Sequence, residues 1–117
     1  MARGLAKLGL LRSADDWAGL RRFYPHGTSH YLGLQVHDVG SYRALRPGAV
    51  VTIEPGIYIA PAADIDPRWW DLGIRIEDDV LVTDGEPVVL SAGIPKDPDE
   101  IEALMAKARA SSAAGGL

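Results

Sequence analysis

The spacing of apolar residues changes along the chain from helical to alternating and back. Leu5, Leu8 and Leu11 recur at helical spacing, so a helix is expected over residues 2–11 despite Gly4 and Gly9. A second helical stretch runs from Ser13 or Ala14 to Arg22, with Asp15 and Asp16 at the positive end of its dipole and Arg21 and Arg22 at the negative end. Tyr24-Pro25-His26-Gly27 breaks it. From Val50 the period falls to two: Val50, Thr52 and Glu54 point one way, Val51 and Ile53 the other. Pro55 confines Glu54 to extended backbone, which holds that carboxylate rigidly near a strand end. Ile57–Ile59 continues as a strand segment, and residues 60–72, with Pro61, Pro67, scattered acids and Trp69-Trp70, read as a long loop.

Gly73–Val82 is the next expected strand, in which Ile74 and Ile76 alternate with Arg75 and Glu77, so the last two share a face. Thr83-Asp84-Gly85-Glu86 predicts a hairpin turn that returns through Val88–Leu90. Asp97-Pro98-Asp99-Glu100 is a helix start with Asp97 as its cap, followed by an apolar stripe of Ile101, Leu104, Met105 and Ala108. Residues 111–117 are expected to form a flexible tail, leaving 1–110 as the folded part. Helices flanking antiparallel strands make this an α+β chain.

A length of 117 residues suits one domain, and 47% hydrophobic residues suffice for a core. Lys7 and Arg12 interrupt the apolar stretch near Met1, so neither a membrane span nor a secretory signal is expected. Without cysteine there is no disulfide framework, thiolate metal site or cysteine nucleophile, and a cytoplasmic location is expected. Residues 28–117 hold seven basic and fourteen acidic side chains, which argues against nucleic acid and towards cations.

The three histidines, His26, His30 and His37, fall in one glycine-rich segment. Crowded imidazoles can ligate a metal or carry protons near neutral pH; unrelated turn and surface histidines are the alternative. Glu54 ends an otherwise apolar strand and Glu77 lies in another, and a carboxylate at a buried strand end is costly unless paired or metal-bound. The competing reading pairs Glu77 with Arg75 and lets Glu54 reach solvent.

Four linked motifs also carry a resemblance. They are His26-Gly27-Thr28-Ser29-His30-Tyr31-Leu32-Gly33-Leu34-Gln35-Val36-His37-Asp38, Leu45-Arg46-Pro47-Gly48, Val51-Thr52-Ile53-Glu54-Pro55-Gly56-Ile57-Tyr58 and Gly73-Ile74-Arg75-Ile76-Glu77-Asp78-Asp79. In order and spacing this resembles the pita-bread (creatinase/aminopeptidase) metallopeptidases, and within them the Xaa-Pro aminopeptidases, from about Leu5 to about Met105. The resemblance implies the C-terminal half of the catalytic domain, a curved antiparallel sheet with flanking helices. It also implies a hydrolase that removes an N-terminal residue when proline is second, using two divalent metal ions, usually Mn2+.

By the same resemblance His30 is the histidine ligand, Glu54 a terminal glutamate ligand and Glu77 the bridging one. His37 would contact the substrate carbonyl or shuttle a proton. His26 would line the proline pocket, and Arg75 would support that pocket and orient Glu77. The family's two aspartate ligands have no counterpart here, because Asp15 and Asp16 are adjacent on an expected helix and Asp64, Asp66 and Asp71 fall in a loop. The chain is therefore expected to bind metal weakly and to be inactive alone. Its expected partners are a peptide with an Xaa-Pro N-terminus, a second copy of the chain, or a complementing N-terminal half. Two competing functions are a non-catalytic pita-bread module that binds peptides or proteins, and a small protein holding one ion through His30, Glu54 and Glu77.

Overall fold

The computed structural model describes residues 1–41 and 43–114. Its framework is one long antiparallel hairpin. Strands β1 (Val50–Ile53) and β2 (Gly56–Ile59) form the outward arm, and β3 (Leu72–Arg75) and β4 (Asp78–Leu81) the return. Ile53 pairs with Asp78 and Gly56 with Arg75, so the register is the same on both sides of the break at residues 54–55 and 76–77. The strand expected over Gly73–Val82 is thus interrupted, and Glu77 sits in the interruption. Ile76 N–H donates to the Pro55 carbonyl at 3.2 Å, which carries the pairing through the break although Pro55 has no N–H to return. A short β5 (Val88–Val89) pairs with the outer edge of β4.

One end of the hairpin packs into the core. Helices α1 (Ala2–Lys7) and α2 (Trp17–Phe23) bring Leu5 and Phe23 against Ile59 and Ile65, with Leu11 from the connecting turn. Both helices are shorter than expected. Gly9, at φ +77°, ends the first: Leu11 is still buried, but Leu8 is left exposed. The second starts only after Asp16, whose carboxylate accepts from the Gly19 N–H at 2.8 Å as an N-cap. The 60–72 loop contains one 3-10 turn at Pro67–Trp69. Trp69 packs against the core and the Trp70 indole donates to the Ile65 carbonyl at 3.0 Å, so the tryptophan pair anchors the loop.

The C-terminal helix α3 (Pro98–Ala114) starts as its cap predicts, with the Asp97 carboxylate accepting from the N–H groups of Asp99 and Glu100. It continues past Ser111, so part of the expected tail is helical; residues 115–117 lie outside the described residues. Its stripe does not enter the core: Ile101, Leu104 and Met105 are exposed. No helix among the described residues is long and apolar enough to cross a membrane.

Candidate metal centre

Three neighbouring stretches of backbone each bring one donor to the break in the hairpin. Residues 28–32 run antiparallel beside β1, held by Glu54 N–H to Thr28 O (2.7 Å), Thr52 N–H to His30 O (2.9 Å) and Leu32 N–H to Val50 O (3.0 Å). This sets His30 beside Thr52. Glu54 follows directly after β1, and the common register sets it opposite Glu77, just before β4. Directly opposed like charges destabilise a sheet unless something positive lies between them.

That positive group is partly supplied. Arg75 Nη1 lies 2.5 Å from Glu77 Oε2 and 3.3 Å from Glu54 Oε2. His30 Nε2 lies 3.1 Å from Glu54 Oε1, with both side chains only 16% exposed. The other ring nitrogen of His30 is a donor: Nδ1 is 2.9 Å from the Tyr31 carbonyl, which can only accept, so Nδ1 carries a proton. In the neutral ring Nε2 then turns a lone pair towards a carboxylate oxygen, an arrangement that needs a proton or a cation between the two. One ligand atom from each of His30, Glu54 and Glu77 lies within 4.8 Å of the others. One imidazole with two carboxylates is a hard donor set that fits a divalent ion of the manganese type.

The remaining candidates surround these donors. His37 comes back through a tight turn whose Asp38 carboxylate accepts from the N–H groups of Leu34 and Val39, both at 2.9 Å. Its ring meets that of His30 edge to face at 4.5 Å between centroids. His26 packs edge-on against Tyr24 and Tyr58, at 4.9 and 5.4 Å. Its Nδ1–H donates to the Gly27 carbonyl at 2.8 Å, which leaves Nε2 to accept from the Tyr58 hydroxyl at 3.0 Å. With both nitrogens engaged, His26 offers its surroundings a ring and no free N–H. A cavity of about 400 Å³ is shared by His26, His30, His37, Glu54, Tyr58 and Arg75.

All six residues singled out from the sequence therefore meet in one place. The competing pairing of Glu77 with Arg75 is present as well, but Glu54 does not turn away to solvent; it takes part in the same cluster. Two contributors were missed. Thr52, buried, accepts from the His30 N–H at 3.0 Å and donates to Glu54 Oε1 at 3.2 Å, linking two of the donors. Tyr58 lines the cavity, and a side chain at Gly56 would come within 3.0 Å of its hydroxyl and of the His26 ring. The alternation that places Thr52 on the face of Glu54 contained the first signal, and its continuation to Tyr58 contained the second.

None of the other aspartates joins this cluster. Asp16 caps α2, Asp64 is paired with Arg22, and Asp66 accepts from the Arg68 N–H; His30, Glu54 and Glu77 form the one group with metal-ligand spacing among the described residues. Behind Glu77, the Ser91 hydroxyl and the Lys96 ammonium hold the Asp78 carboxyl below its usual pKa. Lys96 also donates to the carbonyls of Ser91 and Ile94, which ties the segment after β5 to the start of β4.

Comparison with known proteins gives a consistent result. The sequence pattern of metallopeptidase family M24 matches residues 4–84. The chain is 48% identical over 118 residues to Xaa-Pro aminopeptidase of Escherichia coli, covering 93% of this chain and 27% of that protein. It superposes with a TM-score of 0.83 on the solved structure of E. coli aminopeptidase P with the inhibitor Pro-Leu, at 48% identity, covering 93% of this chain and 27% of the other. With Pseudomonas aeruginosa aminopeptidase PepP the TM-score is 0.85 at 46% identity, again over 93% and 27% of the two chains. The chain thus spans about a quarter of the length of these relatives, and its fold is that part of a pita-bread domain.

Proposed function

Because the chain belongs to metallopeptidase family M24, we propose that it is the part of an Xaa-Pro aminopeptidase catalytic domain that contributes His30, Glu54 and Glu77 as metal ligands. The observation that carries this reading is the convergence of those three donors within 4.8 Å, beside a cavity lined by His30 and Glu54 together with His37, His26 and Arg75. The family is one of metallopeptidases, and for this donor set Mn2+ is the ion we propose, two per complete site. When bound, such ions supply Lewis acidity to the scissile carbonyl and lower the pKa of an attacking water.

The chain's own residues do the rest. Tyr31 O holds the His30 tautomer so that Nε2 is the ligating atom. Thr52 ties the His30 backbone to the Glu54 carboxylate, and Arg75 pairs with both glutamates. His37, edge-on to His30, is placed to donate to the peptide carbonyl or to move a proton to the departing amine. His26, with both nitrogens used, presents an aromatic wall to the pyrrolidine ring of a proline in second position. The cytoplasm is the proposed compartment, on the absence of cysteine from the sequence.

Three donors are too few for two closed coordination shells, so the chain alone should bind one ion modestly and cleave nothing. Calorimetric titration of Mn2+ tests the ligand set: weak binding that disappears in His30→Ala is expected, and equal binding by that variant would overturn it. Cleavage of an Xaa-Pro peptide should appear when a separately produced chain carrying two aspartate ligands is added. A folded mixture that binds two ions but still leaves the peptide intact would point instead to a non-catalytic peptide-binding module.

A further inference from the structure

One carbonyl oxygen serves two parts of the site. The Tyr31 carbonyl takes the His30 Nδ1–H at 2.9 Å and also the Asp38 N–H at 3.0 Å. Tyr31 is paired with Val51 of β1 as well as with Asp38, so it stands between the strand that leads to Glu54 and the turn that brings back His37. That turn buries little of its own: Leu34, Val36 and Val39 are all exposed. Asp38 is half-buried, and its carboxylate closes the turn with both oxygens, Oδ2 accepting from the Leu34 N–H and Oδ1 from the Val39 N–H, each at 2.9 Å. A Cβ at Gly33 would run into this carboxylate and one at Gly40 into the Tyr31 ring, so the closed turn has room for glycine alone at both places.

The His30 ring lies between two acceptors, the Tyr31 carbonyl at Nδ1 and Glu54 Oε1 at Nε2. A neutral imidazole has one N–H to donate, and a carboxylate is the stronger acceptor of the two. Ligation through Nε2 therefore requires the weaker acceptor to be fixed firmly enough to keep the proton on Nδ1. A carbonyl pinned by the Asp38 N–H meets that requirement, and one at the root of an open turn does not. We propose that Asp38 is a positioning residue: by closing the turn over residues 31–41 it holds the Tyr31 carbonyl against His30 Nδ1 and sets the His37 ring edge-on to His30. Asp38 is not among the three clustered donors and acts through the two histidines. The inference rests on the proposed role of His30 as a metal ligand and adds a residue on which that role depends.

The test uses Zn2+, a diamagnetic ion, with the isotope-labelled chain, read by calorimetry and NMR. In the Zn2+-loaded chain the His30 Nδ1–H should give a slowly exchanging signal, and the rings of His30 and His37 should show a through-space contact. Asp38→Ala should lose both and bind Zn2+ about tenfold more weakly, the lower end of what losing an outer partner of a ligand costs. The Trp70 indole signal, which reports on the loop anchored to the core, should stay in place. Asp38→Asn keeps one acceptor oxygen in the same volume and should recover part of the affinity; it decides by the same readouts where the alanine variant does not fold. Gly33→Ala, which displaces the carboxylate without removing it, should copy Asp38→Ala. A variant that moves the His37 signals but keeps the His30 Nδ1–H and the Zn2+ affinity would show a turn that is merely loosened and would overturn the inference. Zn2+ binding that survives His30→Ala would overturn the ligand reading and the inference with it. Binding that needs His30 but not Asp38 would overturn the inference alone.

Discussion

At the break in the long hairpin, charged atoms have several partners each; along α3, apolar side chains lie exposed. Glu54 is reached by His30, Thr52 and Arg75 at once, whereas Ile101, Leu104 and Met105 lie exposed on a helix whose cap is fully formed. The two regions teach different things about how sequence becomes structure. The cluster is assembled by local register: a proline, a uniform strand pairing and an adjacent segment bring its donors together. A helical stripe requires a second surface, and the described residues provide none. Donors set by local register therefore converge among the described residues, while the apolar stripe of a peripheral helix stays exposed.

The largest effect that would break this picture is loss of a donor. His30→Ala should lower Mn2+ affinity by about a hundredfold or more, since a direct ligand matters at least as much as the outer partners, whose loss costs about tenfold to a hundredfold. Calorimetry measures it. The same variant should leave the Leu5, Phe23 and Ile59 core folded, because that core is built beyond β2 and includes none of the donors. If the core melted with the site, the two ends would not be the independent regions described above.

Arg75→Leu removes the positive group in place of a donor. It leaves Glu54 and Glu77 opposed with no guanidinium between them. The metal-free chain should lose about 1 kcal/mol, the partial exposure of Arg75 limiting the cost. Saturating Mn2+ should recover much of that loss, because the ion takes over the role of the positive group. Urea melts with and without Mn2+ distinguish this from simple loss of packing, in which the ion would make no difference. Thr52→Val comes next. Removing a buried hydroxyl that serves two donors should cost about 1 kcal/mol of stability and about tenfold in metal affinity, read by the same two measurements.

The order of these effects reflects what could be read in advance. Period-two alternation placed Glu54 with Thr52 and Arg75 with Glu77, Pro55 fixed Glu54 at a strand end, and the meeting of these residues with the histidine segment followed from the resemblance. Thr52 was on the right face, but nothing in an alternating strand distinguishes a buried hydroxyl that serves two donors from one that merely packs. Tyr58 lay beyond the proline break, where alternation was not carried forward. The helix ends were misplaced because propensity overestimates a helix whose termini are set by Gly9 in left-handed backbone and by the Asp16 cap. The uncovered stripe of α3 is a different matter: periodicity states which side a helix would bury, and it is silent about whether the chain supplies the surface.

The smallest effect concerns the far end of the hairpin, where the Arg22–Asp64 pair ties α2 to the 60–72 loop. The hydrogen-bonded Arg22 guanidinium holds the Asp64 carboxyl down to about 2, against an ordinary value of 3.8. A carboxyl whose pKa is lower in the folded chain than in the unfolded one adds stability above the unfolded value, and that stability drains away as pH falls through the folded value. Its contribution should therefore be intact at pH 5 and shrink between about pH 4 and pH 2. Asp64→Asn should flatten the fall in urea midpoint across that interval while leaving Mn2+ affinity at neutral pH unchanged, since the pair shares no partner with His30, Glu54 and Glu77. Because both side chains lie in water, the flattening should be slight and should shrink further in high salt. A variant whose metal affinity fell along with its acid stability would show that α2 and the loop help to position the donors, and would remove the separation between core end and metal end from which the other predictions start.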